Sequence, residues 1–158
     1  MNKLIYIIIM CSLLLSRNFI YNEDSWYSVL APKEITSISY NRDKVFFSST
    51  NGLFIFDKLY KDFYYADYII SNIENKDFSV VHYDSYRDNV WIANSEELLF
   101  KSDISNVWVS VYFNNLNITS GRNIKNIGSN SNYIILQIRN NQYIFLNPFT
   151  GQVINNID

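Results

Sequence analysis

Hydrophobic and polar positions alternate in short runs along most of this chain, and each run is closed by a polar turn rather than continued at helical spacing. Ile35 to Tyr40, Lys44 to Ser49, Leu53 to Asp57 and Phe63 to Ile70 read as strands, with turns at Asn41-Arg42-Asp43 and Asn51-Gly52. Asn-Gly between two apolar runs is the strongest short-range hairpin signal, because both residues accept positive φ. Four antiparallel strands joined by short turns are therefore predicted. An earlier strand, Asp24 to Leu30, is broken off by Pro32.

The same order returns after about 45 residues, the length of one four-stranded propeller blade. Val45-Phe46-Phe47-Ser48-Ser49 reappears as Val90-Trp91-Ile92-Ala93-Asn94. In this second repeat Phe78 to Tyr83, Asn89 to Ala93, Leu98 to Lys101 and Val107 to Phe113 are the predicted strands. A fainter third copy places strands at Ile124 to Ile127, Tyr133 to Arg139 and Gln142 to Leu146, with Gly151-Gln152-Val153-Ile154 opening a last one. Apolar residues recurring at i, i+3, i+4 and i+7 are not sustained after the N-terminus, so the fold class is all-β. The predicted blades span roughly 31–72, 76–116 and 122–158, within a region 24–158.

The N-terminus has a different pattern. Lys3 precedes a largely apolar run from Leu4 to Leu15, closed by Ser16-Arg17-Asn18. A basic start and a short apolar core are signal-peptide anatomy, and the run is shorter than the roughly 20 residues a membrane-spanning helix needs. Residues 1–18 are expected to direct export, to the periplasm or the extracellular space. No clean pair of small residues marks a cleavage site, so an uncleaved anchor is the alternative, and it would be the chain's one membrane attachment. Cys11, the single cysteine, lies inside this run. Bulky Ile8-Ile9-Met10 before it fits a lipid-attachment motif poorly, and the remaining chain has no cysteine for a disulfide or a cysteine metal cluster.

Composition adds modestly to this picture. Of 158 residues, 13 are Tyr, 11 Phe and 3 Trp, and Asn is abundant, an alphabet of strands and turns. An AT-rich gene would also enrich Ile, Asn, Lys, Tyr and Phe, so pattern outweighs composition. A formal net charge of -2 without any block of like charge provides no surface for tracking phosphates, and nucleic acid is not an expected partner.

Gly52-Leu53-Phe54-Ile55-Phe56-Asp57, preceded by Val45-Phe46-Phe47, resembles the blade motif of two-component-regulator propeller repeats, found in periplasmic sensor domains. Val90-Trp91-Ile92-Ala93-Asn94 is similar to a second such blade, with the tryptophan in a familiar place. Asn147-Pro148-Phe149-Thr150-Gly151-Gln152-Val153-Ile154 resembles instead a quinoprotein-type blade end. The resemblance implies a non-enzymatic, exported sensing or interaction module that contacts a protein or a small-molecule ligand at the propeller rim. A fragment of an exported propeller enzyme, quinoprotein- or glycosidase-like, is the alternative. Propellers close with 4 to 8 blades, so three blades imply an open, partial propeller. Truncation of a longer propeller, ring closure by self-association and a short stack of sheets all fit that count.

No catalytic, cofactor-binding or metal-binding residue is assigned. His82 is the single histidine and lacks a second histidine or a cysteine as co-ligand, which favours a structural role. Glu96-Glu97 and Asp103 are read as solvated turn carboxylates rather than an acid-base pair. Asn41 to Asp43, Asp84 to Asn89 and Gly128 to Asn132 are rich in oxygen donors but lack the spacing of a calcium loop. Asn117-Ile118-Thr119 is a glycosylation sequon given no functional weight. Tyr60, Phe63-Tyr64-Tyr65 and Tyr68 form either a sugar-stacking platform or a packed face, with packing expected.

Overall fold

A computed structural model describes residues 32–66, 77–101, 107–116, 118, 124–138 and 142–155. The expected leader at 1–18 and strand at 24–30 lie outside these, as do Tyr68, Asp103, Asn117 and Thr119.

The described residues form three antiparallel sheets in an open arc. The first contains β1 (Ile35–Tyr40), β2 (Lys44–Ser49), β3 (Gly52–Asp57) and β4 (Asp62–Tyr65) in chain order. The second repeats that order with β5 (Val80–Asp84), β6 (Asn89–Ala93), β7 (Glu97–Lys101) and β8 (Trp108–Tyr112), followed by a single 3-10 turn at Phe113–Leu116. The third pairs β9 (Ile124–Ser129), β10 (Ile134–Ile138) and β11 (Gln142–Leu146). Each repeat has become one sheet, and β5 lies against both β1 and β9. This is an all-β, partial propeller.

Alternation decides which residues face which neighbour. In β6, Val90 and Ile92 turn toward the first sheet, where they join Phe46, Leu53 and Ile55. Trp91 and Ala93 turn toward the third sheet, packing with Phe100, Ile134 and Leu136. The middle sheet is thus covered on both faces, and every residue of β6 is buried. That explains why Asn89 to Ala93 reads as a nearly continuous apolar run.

Several strand boundaries differ from the sequence pattern. Among the described residues, the third repeat's expected last strand is represented by one bridge, Leu146 to Val153. Phe113 leaves β8 for the 3-10 turn, burying its ring in the core with Leu116. In the first hairpin Ser49 pairs directly with Gly52, so the two-residue loop is Thr50-Asn51 instead of Asn51-Gly52. Asn51 does not take positive φ; Gly52 does, at 139°. A Cβ at Gly52 would lie 2.1 Å from Cε2 of Tyr65. Glycine is required there twice over, by the positive φ and by an aromatic ring packed on the backbone.

Candidate functional site

The turns that open each sheet share one device. Asn41 Oδ1 accepts the backbone N–H groups of Asp43 (2.9 Å) and Lys44 (2.6 Å). In the second sheet Asp84 Oδ1 accepts from Tyr86 (3.0 Å), and in the third Asn130 Oδ1 accepts from Asn132 and Tyr133, both at 2.8 Å. Asp57, Asn94 and Asn147 do the same elsewhere. In each of the three oxygen-rich segments noted in the sequence, one side chain, Asn41, Asp84 or Asn130, is therefore engaged by its own backbone, which local Asx turns favour.

Polar side chains join the sheets near their first strands. A register shift in β1 leaves Thr36 as an extra residue opposite β2, and its hydroxyl donates to the carbonyl of Phe78 at 2.6 Å. The backbone N–H of Tyr83 donates to Ser39 Oγ at 2.8 Å. His82 occupies the equivalent junction on the other side of β5, with Nε2 2.9 Å from Ser129 Oγ. Burial pushes its pKa below the usual value, outweighing the opposing pull of the Asp84 carboxylate. Arg87 completes this junction: it pairs with buried Asp84 at 2.8 Å, donates to the carbonyls of Asn130 and Ser131, and lies over the Phe149 ring.

Glu97 corrects the expectation of two solvated turn carboxylates. Glu96 is exposed, but Glu97 is 3 % exposed, because it is the first residue of β7 and points into the sheet. Its carboxylate accepts from Asn94 Nδ2 at 3.3 Å and from the Ser110 hydroxyl. It ties β7 to β8 and to the preceding turn.

The tyrosine-rich segment is divided by the pleat. Tyr64 packs toward the second sheet. Phe63 and Tyr65 lie on the opposite face, with Phe54 5.6 Å from the Phe63 ring and 5.0 Å from the Tyr65 ring. The Tyr65 hydroxyl donates to the carbonyl of Asn51 at 3.1 Å. Tyr60 is 78 % exposed on its turn. These rings do not make one platform.

The recess with the most varied chemistry lies between the first two sheets. It encloses about 330 Å³. Its apolar wall includes Leu53, Ile55 and Val90, and its aromatic wall includes Trp108 with the Phe46–Tyr83 pair, whose rings stack 6.1 Å apart. Turn residues Asn41, Asp43, Lys44 and Asp88 line it as well, together with Lys101 at the end of β7. The Tyr83 hydroxyl donates to Asp88 at 2.7 Å; burial and the adjacent carboxylate raise the Tyr83 pKa. The indole N–H of Trp108 is buried without a hydrogen-bond partner. Sequence reasoning did not find this cleft, since its residues come from six strands and the turns between them, whose proximity depends on how two sheets stack.

No protein-family model matches the chain, and no curated protein matches it. Solved structures do. The extracellular domain of a protein named as the hybrid two component system BT4673 from B. thetaiotaomicron superposes with a TM-score of 0.59 at 9 % identity. The match covers 77 % of this chain and 16 % of that one. A second structure of a BT4673 extracellular domain, named there as a one component system, gives 0.59 at 10 % identity over 77 % and 17 %. The computationally designed Ika4 protein gives 0.55 at 10 % identity, covering 83 % of this chain and 77 % of that one. The chain spans about one sixth of the BT4673 domains, and at this identity the likeness is one of fold.

Proposed function

We propose that this chain is an exported, non-enzymatic β-propeller segment that acts as an extracytoplasmic sensing or interaction module. The observation that carries the reading is the match of its three-sheet arc to BT4673 extracellular domains, named in one structure as part of a hybrid two component system and in the other as part of a one component system. The basic and apolar N-terminal pattern supports export independently of the fold. Ligand or protein contacts are made at the rim, where Asn41 to Lys44 and Asp84 to Asn89 bring polar turns to the mouth of the cleft between sheets.

Further blades complete the ring, supplied by the same polypeptide or by a second copy. Support comes from the outward face of the first sheet, where two cross-strand rows, Ile38-Phe47-Phe54-Tyr65 and Tyr40-Val45-Phe56-Phe63, are wholly apolar or aromatic. Ile38 is 57 % exposed and Tyr40 71 %. Such a face in a propeller packs on the next blade.

Expression of the full chain with a C-terminal tag in a Gram-negative host, followed by osmotic-shock fractionation, tests export. The tagged chain is expected in the periplasmic fraction, processed or membrane-attached. Retention in the cytoplasm would remove the basis for an extracytoplasmic sensor.

A further inference from the structure

We propose that two copies of this chain close one ring head to tail, the outward face of the first sheet in each copy packing on the outward face of the third sheet in the other. This rests on the propeller reading above and commits to one of its two sources of further blades.

The repeat register identifies what each face is built to meet. Ile38 lies opposite Phe47 in the first sheet, as Val81 lies opposite Ile92 in the second, and Val81 and Ile92 pack toward the first sheet. Ile38 and Phe47 therefore occupy positions that meet a preceding sheet. At the other end of the arc, Ile135 lies opposite Phe145 and Gln137 opposite Tyr143. They match Trp91 opposite Phe100 and Ala93 opposite Leu98, which pack toward the third sheet, so this face holds the positions that meet a following sheet. Exposure shows what a partner would cover. Val81 is 3 % exposed and its counterpart Ile38 57 %, while Leu98 is fully buried and its counterpart Tyr143 is 56 % exposed. The two free faces are thus unlike each other and complementary by the chain's own packing scheme, which favours a heterologous contact over a self-matching one.

Size points the same way. At each junction inside the arc, a first-strand residue of one sheet touches a first-strand residue of the next: Ser39 accepts the N–H of Tyr83, and His82 meets Ser129. Pairing places Gly128 opposite Ile135 as His82 is opposite Trp91, and Tyr40 opposite Val45 as Tyr83 is opposite Val90. A third junction of this kind brings Gly128 of one copy to Tyr40 of the other. A Cβ built on Gly128 meets nothing within 4 Å, and the Tyr40 ring is 71 % exposed: the space and the ring to fill it lie on opposite ends of the arc. Asn126 Nδ2 on the third sheet already donates to Gln137 Oε1 at 2.8 Å, which lowers the cost of covering these amides. Stoichiometry follows from closure. Propellers close with 4 to 8 blades, and two arcs of three sheets make six, whereas three arcs exceed the range.

Sedimentation equilibrium of the full chain is expected to show a discrete species of twice the chain mass. Ile38→Asp and Tyr143→Asp each put a charge on one of the two faces, at side chains exposed in a single copy, so circular dichroism should stay native. Each alone is expected to weaken association at least about a hundredfold, because an unpaired carboxylate would be buried at both contacts of the ring. Mixed together, the two variants should pair again more weakly than the unaltered chain, since the intact first-sheet face of one meets the intact third-sheet face of the other. Tyr40→Asp replaces Ile38→Asp if that variant fails to fold, and Gly128→Phe, which fills the place of the Tyr40 ring, replaces Tyr143→Asp. A dimer indifferent to either substitution, variants that do not pair when mixed, a mass that grows without limit, or a monomer at every concentration would overturn the proposal, the monomer leaving further blades of the same polypeptide as the occupant. Those results leave the sensing reading standing if the chain is exported, whereas cytoplasmic retention removes that reading whatever mass is measured.

Discussion

Gly52 and Tyr65 illustrate how a single position acquires its meaning from a residue far along the chain. The hairpin signal drew attention to Gly52, but the close approach of the Tyr65 ring makes it obligatory. Gly52→Ala is expected to destabilise the fold by about 1–3 kcal/mol through overpacking and an unfavourable φ. Tyr65→Ala should itself lower the melting temperature, because the ring packs on Phe54 and the hydroxyl holds Asn51. Placed together, the two substitutions should cost less than their sum, since removing the ring removes the clash; a double-mutant cycle by urea unfolding measures that coupling. His82 supplies a prediction of a different kind. Its pKa is lowered in the folded state, so the unfolded chain binds the proton more readily. Stability is then fully present above the unfolded value of about 6.5 and declines as pH falls through it. Urea midpoints between pH 8 and pH 5 should show the decline, and His82→Gln should flatten it.

At the scale of the element, the middle sheet bears the energetic weight. Trp91 is fully buried, stacks on Phe100 with ring centroids 4.3 Å apart, and leaves its indole N–H without a partner. Trp91→Ala is expected to cost about 3–5 kcal/mol, the range for large aromatic truncations in a core. Trp91→Phe should cost less than half of that, because it keeps most of the ring volume and relieves an orphaned donor. Equal losses for the two variants in equilibrium unfolding would contradict this account. The strand order of all three sheets was legible in sequence because alternation and turn residues are local signals. The end of β8 was not: Phe113 continues the apolar alternation, yet it is drawn into a 3-10 turn by the core it fills. Glu97 was misjudged for a similar reason. Its position beside a turn suggested solvent, while the strand it begins carries the carboxylate into the sheet.

Across the whole molecule, protection against hydrogen exchange should follow the stacking of sheets. The amides of β6 and β7, covered on both sides, are expected to exchange slowest, and those of β1, whose Ile35, Ile38 and Tyr40 are exposed, among the fastest. The wholly apolar rows on the outward face of the first sheet lead to a further expectation. In light scattering, the chain lacking residues 1–18 should either run as a multimer or require added blades to stay soluble; a stable, soluble monomer would exclude ring completion by a second copy.

What the sequence determined alone was the set of local decisions: strands where apolar and polar residues alternate, turns where Asn, Asp and Gly cluster, and one unit repeated after about 45 residues. These depend on neighbours in the chain, so they can be read from it. Only the tertiary structure decided that Val90 and Trp91, adjacent in sequence, belong to different cores, that His82 reaches Ser129, and that Lys44, Lys101 and Trp108 surround one cleft. Those relations depend on how separate sheets stack, and stacking is set by the summed fit of two whole faces, which no short stretch of residues encodes.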